Sequence, residues 1–255
     1  MKKTEWIMGM PITVCLADES VTEKIKEEAI KKIFDYFIYV DEKFSTYKEG
    51  SEISRINSKE IKENDYSEDM KIVFALSEKT RLETNGYFNI LTPEGIFDPS
   101  GLVKGWSIYK AAEILSKLGL QNFYIDAGGD IEARGKNEKG EWWSVGIRDP
   151  RRADKSQIVK KVSIRNNGMA TSGSYIRGQH IYNPYTGRAP LRDIVSITVI
   201  GPNVYEADRF ATAAFVMGKE GINFIEQLDG FEGYAIDANG IATETSGFNK
   251  FTKNI

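Results

Sequence analysis

Two hydrophobic periods alternate along the chain and divide it into predicted helices and strands. Apolar residues recur roughly every three to four positions in segments that predict helices, namely 21–47, 67–84, 104–118, 205–217 and 221–228. Alternation, or short runs of branched and aromatic residues, predicts strands at 10–17, 123–127, 131–134, 142–148, 158–164 and 194–200. Turn sequences stand at 166–168 and 183–187, a short further turn begins at Ser51, and a terminal hairpin is predicted at Asn239-Gly240.

The order of these elements favours one fold class. Strands and helices come in clusters and not in regular alternation, which favours an α+β fold with largely antiparallel sheets flanked by helices over a doubly wound parallel sheet. The chain contains no internal repeat, low-complexity tract or Pro- or Ser-rich linker. The sequence therefore predicts a single domain over residues 1–255.

Charge and composition exclude several classes of protein. The 34 Lys and Arg residues nearly balance 37 Asp and Glu residues, whereas a general nucleic-acid binder carries a basic surface. One cysteine excludes an intrachain disulfide, and one histidine excludes a metal centre with two histidines. No apolar run is long enough for a membrane helix or for the core of a signal peptide. We expect a soluble, cytoplasmic protein without nucleic-acid or membrane partners.

Four segments carry residues suited to chemistry: 97–106, 125–131, 169–187 and 206–214. The first is a turn-rich loop that enters a helix at Lys104, and exposed amides at a helix start with a nearby lysine favour an anion such as phosphate. Its alternative is an ordinary capped loop with a solvated lysine. In the second, Gly128-Gly129 interrupts a strand pattern, which indicates a ligand pressed against the backbone or a β-bulge without a ligand.

The third and fourth segments contain the clearest candidate functional groups. His180, the only histidine, lies between turn signals and not on an apolar face, which favours a functional over a structural role. Asp208 and Thr212 are four residues apart and share one helix face. A carboxylate and a hydroxyl are hard oxygen ligands that suit Mg²⁺ and not zinc. The alternative is that Asp208 interacts with the helix dipole and Thr212 only packs.

Seven motifs stand in a recognisable order along nearly the whole chain. They are Met8-Gly9, Ser45-Thr46-Tyr47 with Ser51-Glu52-Ile53, Asp98 with Lys104-Gly105, Gly128-Gly129, Thr171-Ser172-Gly173, His180 with Pro184-Tyr185-Thr186-Gly187, and Ala207-Asp208 with Ala211-Thr212. In this order they resemble the ApbE-type FAD:protein FMN transferases. The resemblance implies an α+β domain that binds FAD as a substrate. It further implies an enzyme that uses Mg²⁺ to transfer the FMN moiety to a Thr or Ser hydroxyl of an acceptor protein, releasing AMP.

The resemblance also implies roles for individual residues. Asp208 and Thr212 would bind Mg²⁺ through their side chains, with the carbonyl of Gly101 as a third ligand. His180 would be the nearest general base, with a metal-bound Asp208 as the competing proton acceptor. The residues that would contact FAD are Met8, Tyr47, Tyr87, Phe88, Asn89, Asp98 and Lys104.

The chain departs from the family pattern at three positions and in one spacing. Asn89 and Asn183 replace aspartates, Tyr109 stands where an aspartate follows the Lys-Gly-aromatic segment, and the stretch from Phe88 to Asp98 is short. These departures concern the adenine-side contacts and the partner that orients the base. They leave two other functions open: a Mg²⁺-dependent FAD pyrophosphatase that yields FMN and AMP, and a non-catalytic FAD-binding protein.

The resemblance also bears on the acceptor. The family's acceptor pattern is Asp-x-x-Ser/Thr-Gly/Ala-Ala-Thr, and the chain contains only a partial match to it, at 167–171. We therefore expect the acceptor to be another protein and not this chain.

Overall fold

The core of the structure is one antiparallel sheet of eight strands. The computed structural model describes residues 1–152, 157–173, 181–190 and 193–252. Its strands are β1 (Lys2–Ile7), β2 (Met10–Leu16), β3 (Phe123–Ala127), β4 (Asp130–Arg134), β5 (Trp143–Arg148), β6 (Ile158–Ile164), β7 (Gly168–Gly173), β8 (Ile194–Gly201), β9 (Glu232–Asp237) and β10 (Ala242–Glu244). The sheet has the order β1-β2-β3-β4-β7-β8-β9-β10, and β5 pairs with β6 in a separate sheet of two strands.

Six α-helices accompany the two sheets in the described part of the chain. They are α1 (Glu23–Phe44), α2 (Glu52–Asn57), α3 (Glu68–Glu83), α4 (Ser100–Lys117), α5 (Val204–Val216) and α6 (Glu220–Glu226). The side chains of Thr22, Ser51, Ser67 and Asn203 cap α1, α2, α3 and α5 by accepting a hydrogen bond from a first-turn amide. Among the described residues, no helix is both long enough and apolar enough to cross a membrane.

The elements form three layers. Alternate residues of β2 and β3, such as Ile12 and Ile125, pack against α1 and α4 on one face of the main sheet. On the same face, α5 and α6 pack against β7, β8 and β9. Trp143 and Val162 of the small sheet cover the opposite face. The predicted α+β class with largely antiparallel sheets flanked by helices is confirmed, and the whole described chain packs as one domain.

Two strands and one helix boundary differ from the sequence-based prediction. The pattern predicted neither β1 nor β7, and it placed only a turn, at 166–168, where β7 begins. The third helix begins at Ser100 and not at 104. The chain therefore enters α4 directly after Asp98-Pro99, which brings the first turn of this helix to the middle of α5.

Candidate active site

Most of the predicted site residues line one cavity of about 440 Å³. It lies where the turns after β1 and β3 meet the first turns of α4 and the middle of α5. This volume is within the usual range for a small-molecule site. The predicted residues that line it are Tyr87, Phe88, Asn89, Asp98, Gly101, Lys104, Asp208 and Thr212.

Asp208 is buried at the point where α4 and α5 touch. Its Oδ2 accepts a hydrogen bond of 2.8 Å from the backbone amide of Gly105. A β-carbon on Gly105 would lie 2.6 Å from the Cβ of Asp208 and 2.8 Å from the carbonyl oxygen of Val204. Gly105 is therefore the residue that allows the two helices to approach closely enough to hold Asp208 in the cavity.

Lys104 joins two buried carboxylates on opposite elements. Its ammonium forms an ion pair with Asp130 of β4 and lies 3.6 Å from Oδ1 of Asp208. Asp130 is itself fixed, because its Oδ1 accepts a hydrogen bond of 3.0 Å from the amide of Thr171. Burial raises the pKa of Asp208 and the neighbouring Asp130 adds to the rise, whereas Lys104 opposes it. The cluster thus sets two acidic side chains against one lysine at the side of the cavity.

Oxygen atoms converge on the same side of α5. Thr212 follows Asp208 by one helical turn, and its hydroxyl lies 3.3 Å from the carbonyl oxygen of Gly101. The hydroxyl of Ser172 lies 3.5 Å from that of Thr212. No three histidine, cysteine or acidic side chains of the described residues form a metal-binding group. One carboxylate with a hydroxyl and a carbonyl nevertheless fits Mg²⁺, which keeps several ligand positions for water and substrate phosphates.

An aromatic wall closes the other side of the cavity. The Tyr182 hydroxyl donates to the carbonyl oxygens of Asn89 and Leu91 at 2.8 Å each. Tyr87 and Phe88 line the cavity as well, and behind them the ring of Tyr185, outside the lining, meets that of Tyr87 edge to face with centroids 5.1 Å apart. Planar aromatic side chains beside a phosphate-sized polar cluster suit a ligand that carries both ring systems and phosphates.

The departures from the family pattern have local explanations. The side-chain oxygen of Asn89 accepts from the amide of Leu91, and that of Asn183 accepts from the amide of Tyr185. An asparagine makes these turn-forming bonds as an aspartate does. Tyr109 lies outside the cavity lining, with the Arg134 guanidinium 5.9 Å from its ring centroid.

Two predicted residues, Tyr47 and Met8, do not line the cavity, and a third is not among the described residues. Tyr47 is 94% exposed and does not line it. Met8 packs between two core clusters, with positive φ in the turn after β1, while Gly9 and Met10 line the cavity. His180 lies outside the described residues. The proposed roles of these three remain predictions.

The structure adds residues that the motifs alone did not single out. Asp130 follows the glycine pair directly, and the register of β4 with β7 places it beside Thr171. Trp6, 73% exposed, lines the cavity from β1, and Arg148 lines it from β5. The acid after Gly128-Gly129 was a usable signal for Asp130, whereas only the strand pairing reveals Trp6 and Arg148.

Comparison with known proteins finds a matching family model and relatives that share one name. The model of the ApbE family matches residues 8–94 and 91–235. FAD:protein FMN transferase of Haemophilus influenzae is 31% identical over 190 residues, which cover 69% of this chain and 55% of the relative. The Escherichia coli K12 protein of the same name is 32% identical over 162 residues, covering 60% of this chain and 46% of that protein. The chain thus spans about half the length of these curated relatives.

Solved structures share the fold. Flavin transferase ApbE from Vibrio cholerae superposes with a TM-score of 0.84 over 98% of both chains at 21% identity. The ApbE protein of Thermotoga maritima superposes with a TM-score of 0.85 over 100% of this chain and 99% of its own, at 19% identity. With the family model matching most of the sequence, the chain belongs to the ApbE family.

Proposed function

We propose that the protein transfers the FMN moiety of FAD to a Thr or Ser hydroxyl of an acceptor protein in a Mg²⁺-dependent reaction that releases AMP. The observation that carries this proposal is that Lys104, Asp208, Thr212 and Gly101 line the same cavity as the aromatic residues Tyr87, Phe88 and Tyr182. Relatives named FAD:protein FMN transferase support the reaction class.

The reaction exchanges the phosphoanhydride linkage of FAD for a phosphoester linkage to the acceptor. The acceptor oxygen forms a bond to the phosphorus of the FMN half, and the bridging P–O bond of the pyrophosphate breaks. The electron pair of that bond leaves with AMP, and the hydroxyl proton passes to a base. Charge on the phosphates opposes the attack, so positioning and charge neutralisation supply most of the catalysis.

Different residues of the cavity would interact with the phosphates, hold the metal ion and accept the proton. Lys104, held between Asp130 and Asp208, presents a positive charge to the phosphates. Asp208, Thr212 and Gly101 would hold Mg²⁺, which when bound neutralises phosphate charge as a Lewis acid. The start of α4, at Ser100 and Gly101, lines the same cavity, and the positive end of the helix dipole there favours the phosphates. His180 is proposed as the proton acceptor.

The test of this proposal uses FAD, Mg²⁺ and a carrier protein that displays the acceptor pattern on an exposed segment. We expect mass spectrometry to find an FMN adduct on the carrier and chromatography to find an equal amount of AMP. A carrier whose Ser and Thr in the pattern are replaced by Ala is the control. AMP and free FMN without an adduct would indicate the pyrophosphatase, and FAD binding without AMP would indicate a non-catalytic binder.

A further inference from the structure

A second cavity, of about 290 Å³, lies beside the first. Its floor is the face of the main sheet, where Tyr124 of β3 and Met169 of β7 point toward the small sheet. Its opposite wall is β5, from which the consecutive residues 143–146 all line the cavity. Because neighbouring residues of a strand point to opposite faces, a run of consecutive lining residues means that the strand presents its edge to the cavity.

The two cavities share a wall. Five residues line both of them: Asp126, Gly128, Gly129, Arg148 and Thr171. Asp130 also lines the second cavity, and its carboxylate pairs with Lys104, which lines the first. A group held in the second cavity therefore reaches the charged cluster of the first.

The edge of β5 that borders the second cavity offers main-chain hydrogen bonds. β5 pairs with β6 along one edge, and no other described strand pairs with it. An unpaired strand edge presents N–H and C=O groups at a fixed spacing, and an extended polypeptide is the ligand that matches this spacing. A nucleotide has no N–H and C=O groups that recur at this spacing, so it does not match the strand edge.

We propose that the second cavity binds the acceptor protein, as an extended segment paired with β5 whose Thr or Ser hydroxyl reaches the junction with the first cavity. This inference rests on the proposed function, since that reaction requires a second, polypeptide substrate. Gly128 and Gly129 line the junction without side chains and allow a main chain to approach. Arg148 is exposed and lines both cavities, so its positive charge favours an acidic side chain near the acceptor hydroxyl.

The first test fills the second cavity without touching the first. Ser144 is exposed and lines only the second cavity. In Ser144→Trp we expect KM for the carrier protein with the acceptor pattern to rise about tenfold or more, because the main-chain pairing is blocked. The affinity for FAD, measured by flavin fluorescence, should stay within about twofold of the wild type because no FAD-site residue has changed.

Control variants separate this effect from a general disturbance of the small sheet. Lys161→Trp places the same side chain on an exposed position of β6 that lines neither cavity, and Ser144→Ala removes only a hydroxyl. Both should flavinylate the carrier like the wild type. Normal transfer by Ser144→Trp would overturn the proposal, whereas a wild type that neither binds FAD nor forms an adduct would instead overturn the proposed function.

A second test probes the main-chain pairing directly and needs no variant. Synthetic peptides that carry the acceptor pattern are methylated at one backbone nitrogen at a time. Since only every second amide of a strand faces its neighbour, we expect methylation to reduce FMN transfer at alternate positions. Equal sensitivity at neighbouring positions, or none, would contradict binding as a strand.

Discussion

Asp208 shows how much a single side chain depends on its surroundings. One carboxylate oxygen is held by the amide of Gly105 and the other faces Lys104. The Asp208→Asn variant keeps the size of the side chain and removes its charge. We expect Mg²⁺-stimulated AMP formation to fall about 100-fold or more, as for loss of a preorganised electrostatic group, with FAD affinity changed much less. Asp229→Asn, at an exposed position outside the cavity, is the matched control. Full Mg²⁺-stimulated turnover in Asp208→Asn would place the metal elsewhere.

Trp6 carries the second prediction at the residue scale. An exposed tryptophan that lines a cavity offers a ring face to a flat ligand. We expect Trp6→Ala to weaken FAD binding by about 1–3 kcal/mol, the usual contribution of aromatic stacking on a base. In Trp6→Phe a ring remains and most of the affinity should return. Titrations that follow flavin fluorescence measure all three proteins, and equal affinities would show that Trp6 does not contact the ligand.

Which site residues are predictable from sequence depends on whether their spacing is local. Asp208 and Thr212 come together through the period of one helix, so their spacing alone indicates a shared face. Asp130 joins Lys104 only because β4 and α4 meet in the folded chain, and no local period encodes that meeting. Tyr47 matches a family motif, yet it is exposed away from the described cavity lining.

At the scale of elements, the contact between α4 and α5 predicts that a glycine-to-alanine substitution in a helix lowers the stability of the protein, where such a substitution usually raises it. Replacing a helix-interior glycine by alanine usually stabilises a protein by about 0.5–1 kcal/mol. At Gly105 the added carbon would meet the Cβ of Asp208 at 2.6 Å and a backbone oxygen at 2.8 Å. We therefore expect Gly105→Ala to lower the free energy of unfolding by about 1–3 kcal/mol, as overpacking does.

Urea unfolding measures this change, and Gly50→Ala is the control. A β-carbon on Gly50 would meet nothing within 4 Å, and its φ is not in the left-handed region. Gly50→Ala should therefore leave stability unchanged or slightly raised. A Gly105→Ala protein as stable as the wild type would mean that α4 and α5 separate without cost, and Asp208 would then not be fixed by this contact.

The elements that the sequence pattern missed are those whose environment removes the usual signals. β1 is an edge strand with five of its six residues exposed, so no apolar alternation marks it. β7 is buried but consists mainly of small residues, because α5 packs directly on it. A β-carbon on Gly168 would lie 1.8 Å from the backbone nitrogen of Val204. By contrast, α1 and α3 have capped starts and long amphipathic patterns, and both were predicted well.

At the scale of the whole molecule, α5 is the element on which the site depends, and three separate contacts hold it. Glu132 of β4 accepts a hydrogen bond of 2.7 Å from the amide of Val204, at the start of the helix. Gly105 of α4 contacts its middle through Asp208. The buried guanidinium of Arg209 forms an ion pair with Glu83 of α3. The helix that presents the candidate metal ligands is thus connected to the sheet and to two other helices.

Glu132 makes the stability of the whole fold depend on pH. Burial raises its pKa to about 7, although the amide of Val204 and the side chain of Arg134 oppose the rise. In the unfolded chain a glutamate has a pKa of about 4.3. At pH values between about 4.3 and about 7, the Glu132 carboxyl keeps its proton in the folded protein, whereas in the unfolded chain it has lost that proton. The contribution of Glu132 to stability is therefore fully present below about pH 4.3 and is lost as the pH rises through about 7.

The Glu132→Gln variant removes this titration and keeps an oxygen that accepts from the Val204 amide. The free energy of unfolding of the wild type, minus that of the variant, should fall by about 3 kcal/mol between pH 4 and pH 8, since each pKa unit corresponds to about 1.4 kcal/mol. Urea unfolding at a series of pH values measures the difference. Glu138→Gln makes the same substitution at an exposed site and is the matched control. A profile for Glu132→Gln that does not vary with pH would mean that Glu132 is ionised in the folded protein, with Arg134 and the start of α5 compensating its burial in full.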